Sequence, residues 1–228
     1  MKSITLLIAA FLLICIFTDS KPVLKMPAKT YSYLALGDSY TIGETVPANE
    51  NFPNQTVQLL RKAGFDFKSS EIIAKTGWTT DELQNAISKH TFHPPYDFVT
   101  LLIGVNNQYR GRTVEDYKPE IESLLKQAIK FAGNENNHVI VLSIPDWGVT
   151  PYAEGRDRKK IAEEIDAYNA VNKTFAEKYK VHYIDITPGT REAANDPTLL
   201  ANDGLHPSGK EYAKWAEKVS AMIQDELK

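Results

Sequence analysis

Apolar residues follow two different spacings along this chain. Short continuous runs occur at Tyr31 to Leu36, Glu71 to Ala74, Phe98 to Ile103, Val139 to Ile144 and Val181 to Ile186, each bounded by Gly, Pro, Asn or Asp. Strands buried on both faces read this way. Between the runs the spacing lengthens to three and four residues, over Asn54 to Ala63, Asp81 to Lys89, Val114 to Phe131, Arg158 to Lys178 and Gly209 to Leu227. That period predicts helices with one apolar face. Thr79 with Glu82, and Ser208 with Glu211, fit the capping box and mark two helix starts. Thr187 to Leu205, which holds Pro188, Gly189 and Pro197, reads as the longest irregular stretch.

Strand and helix alternate with few hairpin signals, which predicts a parallel five-stranded sheet covered by helices on both faces, a three-layer α/β/α sandwich. Loops at the carboxyl ends of its strands then build the site. The chain has 228 residues, 43% hydrophobic and 24% charged, enough for one well-buried core. No repeat or shift in composition after residue 30 argues for a second domain. A net charge of −3 gives no electrostatic reason to expect a nucleic acid partner.

Residues 1 to 20 have their own grammar: Lys2, an apolar stretch from Ile4 to Phe17, then Thr18-Asp19-Ser20. This predicts a signal peptide, and so a secreted or periplasmic protein, with a connecting stretch over residues 21 to 30. The apolar run is shorter than the roughly 20 residues of a stable membrane span. Cys15 is the only cysteine, so no intrachain disulfide forms. It lies where a lipoprotein would carry its lipid, but Ile14 before it is a poor match to the small residue expected there. Asn54-Gln55-Thr56 and Asn172-Lys173-Thr174 match glycosylation acceptors and are read as chance occurrences.

Ser39, in Gly37-Asp38-Ser39-Tyr40, follows the first strand and so stands at the carboxyl edge of the expected sheet. A hydroxyl attacks at neutral pH only with a base in reach and an orienting acceptor on that base. Asp203-Gly204-Leu205-His206 supplies both within one tight turn. His206 would take the Ser39 proton and return it to a leaving alcohol, while Asp203 fixes the imidazole tautomer. Gly77 follows the second strand, where a missing side chain lets a backbone N–H approach a substrate oxygen. Gly104-Val105-Asn106-Asn107 follows the third, where the Asn106 amide can donate to the same atom. With the N–H of Ser39 these make three oxyanion donors, each worth about 3 kcal/mol of barrier.

Each piece alone is commonplace turn chemistry. Together and in this order they resemble the sequence blocks of the SGNH, or GDSL, hydrolase family, and the resemblance covers nearly all of residues 31 to 228. It implies a flavodoxin-like α/β/α sandwich without metal or cofactor. It also implies hydrolysis of carboxylic esters or thioesters through an acyl-enzyme intermediate. Ser39 carries over as nucleophile, Gly77 and Asn106 as oxyanion donors, and Asp203 and His206 as the rest of the triad. Two positions depart from the family pattern: Tyr40 stands where the name-giving motif has Leu, and Asn107 where the third block usually has Asp.

The implied substrates are small-molecule esters of short or medium acyl groups, thioesters or lysophospholipids, with polysaccharide O-deacetylation as the alternative. A hydrophobic channel beside Ser39 would favour the former, and a shallow cleft with exposed aromatics the latter. A non-catalytic flavodoxin-like binding domain is the remaining class, and the absence of Gly-x-Gly-x-x-Gly after the first strand argues against it. The lack of Gly-x-Ser-x-Gly around Ser39 likewise makes the α/β-hydrolase elbow a poor fit. His90 and His93 have a spacing that suggests metal ligands, but Pro94 and Pro95 end the helix there and nothing completes a site. His138 and His182 adjoin strands and read as structural. Trp147, Tyr109 and Arg110 fall on the active-site side of the sheet as secondary candidates for substrate contact.

Overall fold

The computed structural model describes residues 29–228. The expected signal segment 1–20, Cys15 with it, and most of the stretch 21–30 lie outside the described residues. In chain order the strands are β1 (Thr30–Tyr31), β2 (Tyr33–Asp38), β3 (Asp66–Phe67), β4 (Glu71–Lys75), β5 (Phe98–Leu102), β6 (Val139–Leu142) and β7 (His182–Ile184). Five form one sheet in the order β4-β2-β5-β6-β7, every pair parallel. The expected first strand is split in two. Ser32 gives its N–H and its hydroxyl to Asp97 at 2.8 and 2.9 Å, which interrupts the ladder, and β1 pairs instead with β3 in a small separate ribbon.

The helices are α1 (Ser39–Ile42), α2 (Phe52–Lys62), α3 (Thr80–Lys89), α4 (Val105–Tyr109), α5 (Val114–Phe131), α6 (Arg158–Tyr179), α7 (Thr187–Arg191) and α8 (Gly209–Glu226). One layer holds α2 packed on α8, with Phe52 against Trp215; the other holds α3, α5 and α6 in succession. Leu34, Leu36, Leu101, Ile140 and Leu142 are buried between the layers. This continuous apolar filling is why the strands read as runs rather than alternations. After β4 the chain crosses over β2 to enter β5, so the order reverses at β2. A crevice opens at the carboxyl end of such a switch point.

At Thr79 the expected capping box forms, with the Thr79 N–H donating 2.9 Å to the Glu82 carboxylate. Helix α8 also begins where expected, but its capping box does not form. The Ser208 hydroxyl donates 2.7 Å to the Thr198 carbonyl, and the Glu211 carboxylate turns inward to accept 2.9 Å from the buried Trp215 indole. Tertiary partners outbid the local cap. The stretch read as irregular contains α7 and two 3₁₀ turns, Glu192–Ala194 and Pro197–Leu199. Pro188 and Pro197 start helical turns there, where a missing N–H costs nothing. Asn172 is buried in α6 and its Oδ1 accepts 2.7 Å from Tyr117, so that glycosylation match is not an accessible acceptor.

Candidate active site

Ser39 is the first residue of α1, immediately past β2. Asp38 caps that single turn, accepting the Tyr40 N–H at 3.0 Å, and Gly43 closes it at φ +74°. As first helical residue Ser39 has no acceptor for its N–H within its own helix. Gly37 is required by packing: a Cβ there would overlap the Leu102 carbonyl and the Thr41 hydroxyl. Absence of that Cβ lets the end of β5, and the turn after it, come up beside the serine. Asp38 is buried beside Ser39, and burial pushes its carboxyl up to about 7 against the opposing hydrogen bonds from Tyr40 and Asn106.

Gly104 turns the chain after β5 at φ +129°, a conformation that excludes a side chain. A Cβ would also lie 2.7 Å from the Tyr117 hydroxyl, which is itself held by the Ile103 carbonyl and Asn172. The turn delivers Asn106 on α4. Its Nδ2 donates to the Trp78 carbonyl at 3.0 Å and more weakly to Asp38 at 3.4 Å. Gly77 occupies the turn after β4 at φ +80°, and its carbonyl accepts 2.6 Å from Arg110, whose guanidinium also reaches both Glu82 oxygens. Arg110 thus braces the Gly77 turn rather than facing substrate.

Asn107, the second departure from the family pattern, points away from the crevice into the base of α3. Its Oδ1 accepts the Thr80 N–H at 3.1 Å, and its Nδ2 donates to the Thr80 hydroxyl at 2.6 Å and to Glu120 at 3.4 Å. The Thr80 hydroxyl in turn donates to Glu120. The carboxylate that Asn107 and Thr80, both buried, meet here is that of the half-buried Glu120, which also faces Arg112 at 3.6 Å, and the amide of Asn107 serves as a donor toward it. No charge is lost at the crevice.

The loop before α8 brings the last pair. His206 Nδ1 lies 2.6 Å from Asp203 Oδ2, and Asp203 Oδ1 accepts the N–H groups of Leu205 and His206, both at 3.0 Å. Burial raises the Asp203 carboxyl, but the hydrogen bond from His206 and the two from the backbone outweigh it and hold the carboxyl below its ordinary value. An ionised carboxylate only accepts, so Nδ1–H is the donor toward Asp203, and the neutral ring held this way carries its lone pair on Nε2. The Tyr40 ring packs on the imidazole at 4.8 Å between centroids. Tyr40, the first departure from the family pattern, thus supports the histidine ring.

Ser39, Gly77, Asn106 and His206 line one cleft of about 180 Å³. Ser39 and His206 face the same space without a hydrogen bond between them among the described residues. Tyr40, Val105, Tyr109, Trp147, Tyr152 and Leu205 complete the walls. Trp147 is fixed there by a 2.7 Å bond from its indole N–H to Gln108. Tyr152 was not among the residues singled out from the sequence, since a tyrosine in the short turn Pro151–Ala153 carries no motif. His90 is hydrogen-bonded to Glu71 at 2.9 Å and His182 to Glu226 at 2.8 Å, and neither lines the cleft. Among the described residues no group of three or more His, Cys, Asp and Glu side chains could hold a metal ion, and no helix is long and apolar enough to cross a membrane.

Residues 35–214 match the model of the GDSL-like Lipase/Acylhydrolase family. A segment of 88 residues is 32% identical to the secreted effector protein SseJ of Salmonella typhimurium, covering 38% of this chain and 21% of that protein. The match therefore spans about a fifth of that relative's length. Among solved structures, TesA superposes with a TM-score of 0.67 at 17% identity, covering 86% of this chain and 99% of the other. Axe2, an acetylxylan esterase from Geobacillus stearothermophilus, gives 0.67 at 19% identity, covering 85% and 94%. The lipase/acylhydrolase from Enterococcus faecalis gives 0.63 at 22%, covering 86% and 95%. At these identities the superpositions show a shared fold.

Proposed function

Since the chain belongs to the GDSL-like lipase and acylhydrolase family and is an ester hydrolase of that kind, we propose that it cleaves esters of short acyl groups with Ser39 as nucleophile. The observation that carries this reading is the meeting of Ser39, Gly77, Asn106 and His206 on one cleft, with the His206 ring oriented by Asp203.

Ser39 Oγ attacks the ester carbonyl while its proton passes to His206 Nε2, and the Asp203 carboxylate stabilises the imidazolium. Negative charge on the former carbonyl oxygen meets the N–H groups of Ser39 and Gly77 and the amide of Asn106. For that, the Asn106 amide gives up its weak 3.4 Å contact with Asp38 and donates to the substrate oxygen instead. The C–O bond breaks, the alcohol leaves with the proton from His206, and water repeats the sequence on the acyl-enzyme.

The cleft volume of about 180 Å³ is below the range of roughly 300–1,000 Å³ that encloses drug-sized ligands, which supports a short acyl group over a long lipid chain. The apolar segment Ile4 to Phe17 supports export as the route to an external substrate. The test is a chain-length series of 4-nitrophenyl esters with rapid mixing. A burst of nitrophenol equal to the enzyme concentration, and kcat/KM falling steadily beyond butyrate, is expected. A preference for dodecanoate would refute the short-acyl reading.

A further inference from the structure

Among the described residues, the large hydrophobic side chains left exposed are Tyr109, at 42%, and Tyr152, at 48%. Both stand on the rim of the Ser39 cleft, with Trp147 in the wall between them. Their hydroxyls lie 3.2 Å apart and their ring centroids 6.2 Å apart. Trp147 meets Tyr109 at 5.2 Å and Tyr152 at 6.2 Å, edge on in both cases. Among the described residues, the two most exposed large hydrophobic side chains thus meet at one place.

The pair joins the two elements that hold the chemistry. Tyr109 follows Asn106 by three residues on α4, so the two side chains share a helix face. Tyr152 donates its N–H 3.3 Å to the Gly204 carbonyl, inside the Asp203–His206 turn. An alcohol that leaves with the His206 proton must lie on the His206 side of the ester, which is the Tyr152 side.

Beyond the aromatic wall, Tyr109 and Trp147 also border a second, more open groove of about 240 Å³ that runs past Arg156, Asp157, Lys160 and Glu164. The Arg156 guanidinium lies 6.0 Å from the Tyr109 ring centre. Anything large enough to extend out of the cleft across these rings meets charged groups of both signs. An acyl chain would use only the apolar walls, whereas a polyhydroxylated chain also finds donors and acceptors for its hydroxyls beside flat faces for its C–H surfaces.

We propose that Tyr109, Trp147 and Tyr152 bind the alcohol half of the substrate, and that this alcohol is a sugar ring within a glycan from which Ser39 removes a short acyl group. The hydroxyls of Tyr109 and Tyr152, bonded to each other here, exchange that bond for bonds to the sugar. This rests on the Ser39 esterase reading and adds the substrate class.

The experiment compares kcat/KM on acetylated xylo-oligosaccharides and on ethyl acetate for the wild type, Tyr109→Ala, Tyr152→Ala and Tyr152→Phe. Every rate is scaled to the fraction of enzyme that a fluorophosphonate labels. Wild type is expected to prefer the oligosaccharide. Each alanine variant should lose about tenfold more on the oligosaccharide than on ethyl acetate, chiefly through KM. Tyr152→Phe, which keeps the ring and loses the hydroxyl, should fall between. Equal losses on both substrates would show a merely structural role and overturn the proposal. So would a labelled wild type that prefers monoacylglycerols of long chains to the acetylated sugar, and in both cases serine esterase chemistry would still stand. A folded wild type that takes no label would remove the mechanism and this inference together.

Discussion

His206 Nδ1 sits 2.6 Å from Asp203 Oδ2, while the other oxygen of the same carboxylate caps the turn between them through the N–H groups of Leu205 and His206. One side chain therefore both shapes the loop and selects the tautomer of the base. Asp203→Asn separates the two roles, because an amide oxygen can still cap the turn but no longer serves as an anion beside the imidazolium. The expected result is an unchanged far-ultraviolet circular dichroism spectrum with kcat lower by roughly three to four orders of magnitude. A loss of less than tenfold would contradict the role given to Asp203.

Asn106 holds the Trp78 carbonyl at 3.0 Å with one amide hydrogen and Asp38 only weakly with the other. Asn106→Ala should lower kcat about 100-fold with little change in KM, since the lost bond forms only as the oxyanion develops. Steady-state kinetics on 4-nitrophenyl acetate decide it, and an unaltered kcat would remove Asn106 from the oxyanion site.

Asn107 is buried and donates toward Glu120, which is half-buried beside it. Asn107→Asp restores the residue usual in the family but sets a second carboxylate against the first, and should destabilise the fold by about 2–3 kcal/mol. Glu120→Gln supplies a neutral partner and should recover most of that loss. Urea unfolding of the single and double variants gives the coupling energy; strictly additive effects would show that the two side chains do not interact as described.

Asp38 couples stability to pH in the direction opposite to most carboxylates. Its folded-state carboxyl is raised from 3.8 to about 7, so between those values the native state keeps a proton that the unfolded chain has released. The stabilisation linked to that proton is complete below about pH 4 and is lost as pH rises through about 7. Asp38→Asn keeps an acceptor for the Tyr40 N–H and has no such proton. The Tm of the wild type relative to this variant should therefore fall from pH 4 to pH 8, whereas a difference independent of pH would place the Asp38 titration elsewhere.

Much of this was legible in the chain because the fold writes itself in period and punctuation. The apolar runs behind the central strands β2, β5 and β6 are continuous since helices cover both faces, and the edge strands β4 and β7, half-buried, still read as short apolar runs. Gly37 and Gly104 stand out since side chains there would strike Leu102 and Tyr117. What was not legible depends on tertiary competition. Glu211 has the spacing of a cap but partners Trp215; Ser32 breaks a strand only because Asp97 lies beside it; Arg110, a secondary candidate for substrate contact by its place after β5, braces Gly77. Tyr152 had no local signal at all, because its place on the cleft rim comes from the contact of its turn with Gly204.

The central claim is that Ser39 is the activated nucleophile, and the most direct measurement is labelling of the folded protein by a fluorophosphonate with the adduct located by peptide mass spectrometry. One adduct per chain on Ser39, absent in Ser39→Ala and strongly slowed in His206→Ala, is the predicted result. A folded protein that takes no label, or takes it equally in Ser39→Ala, would contradict the account.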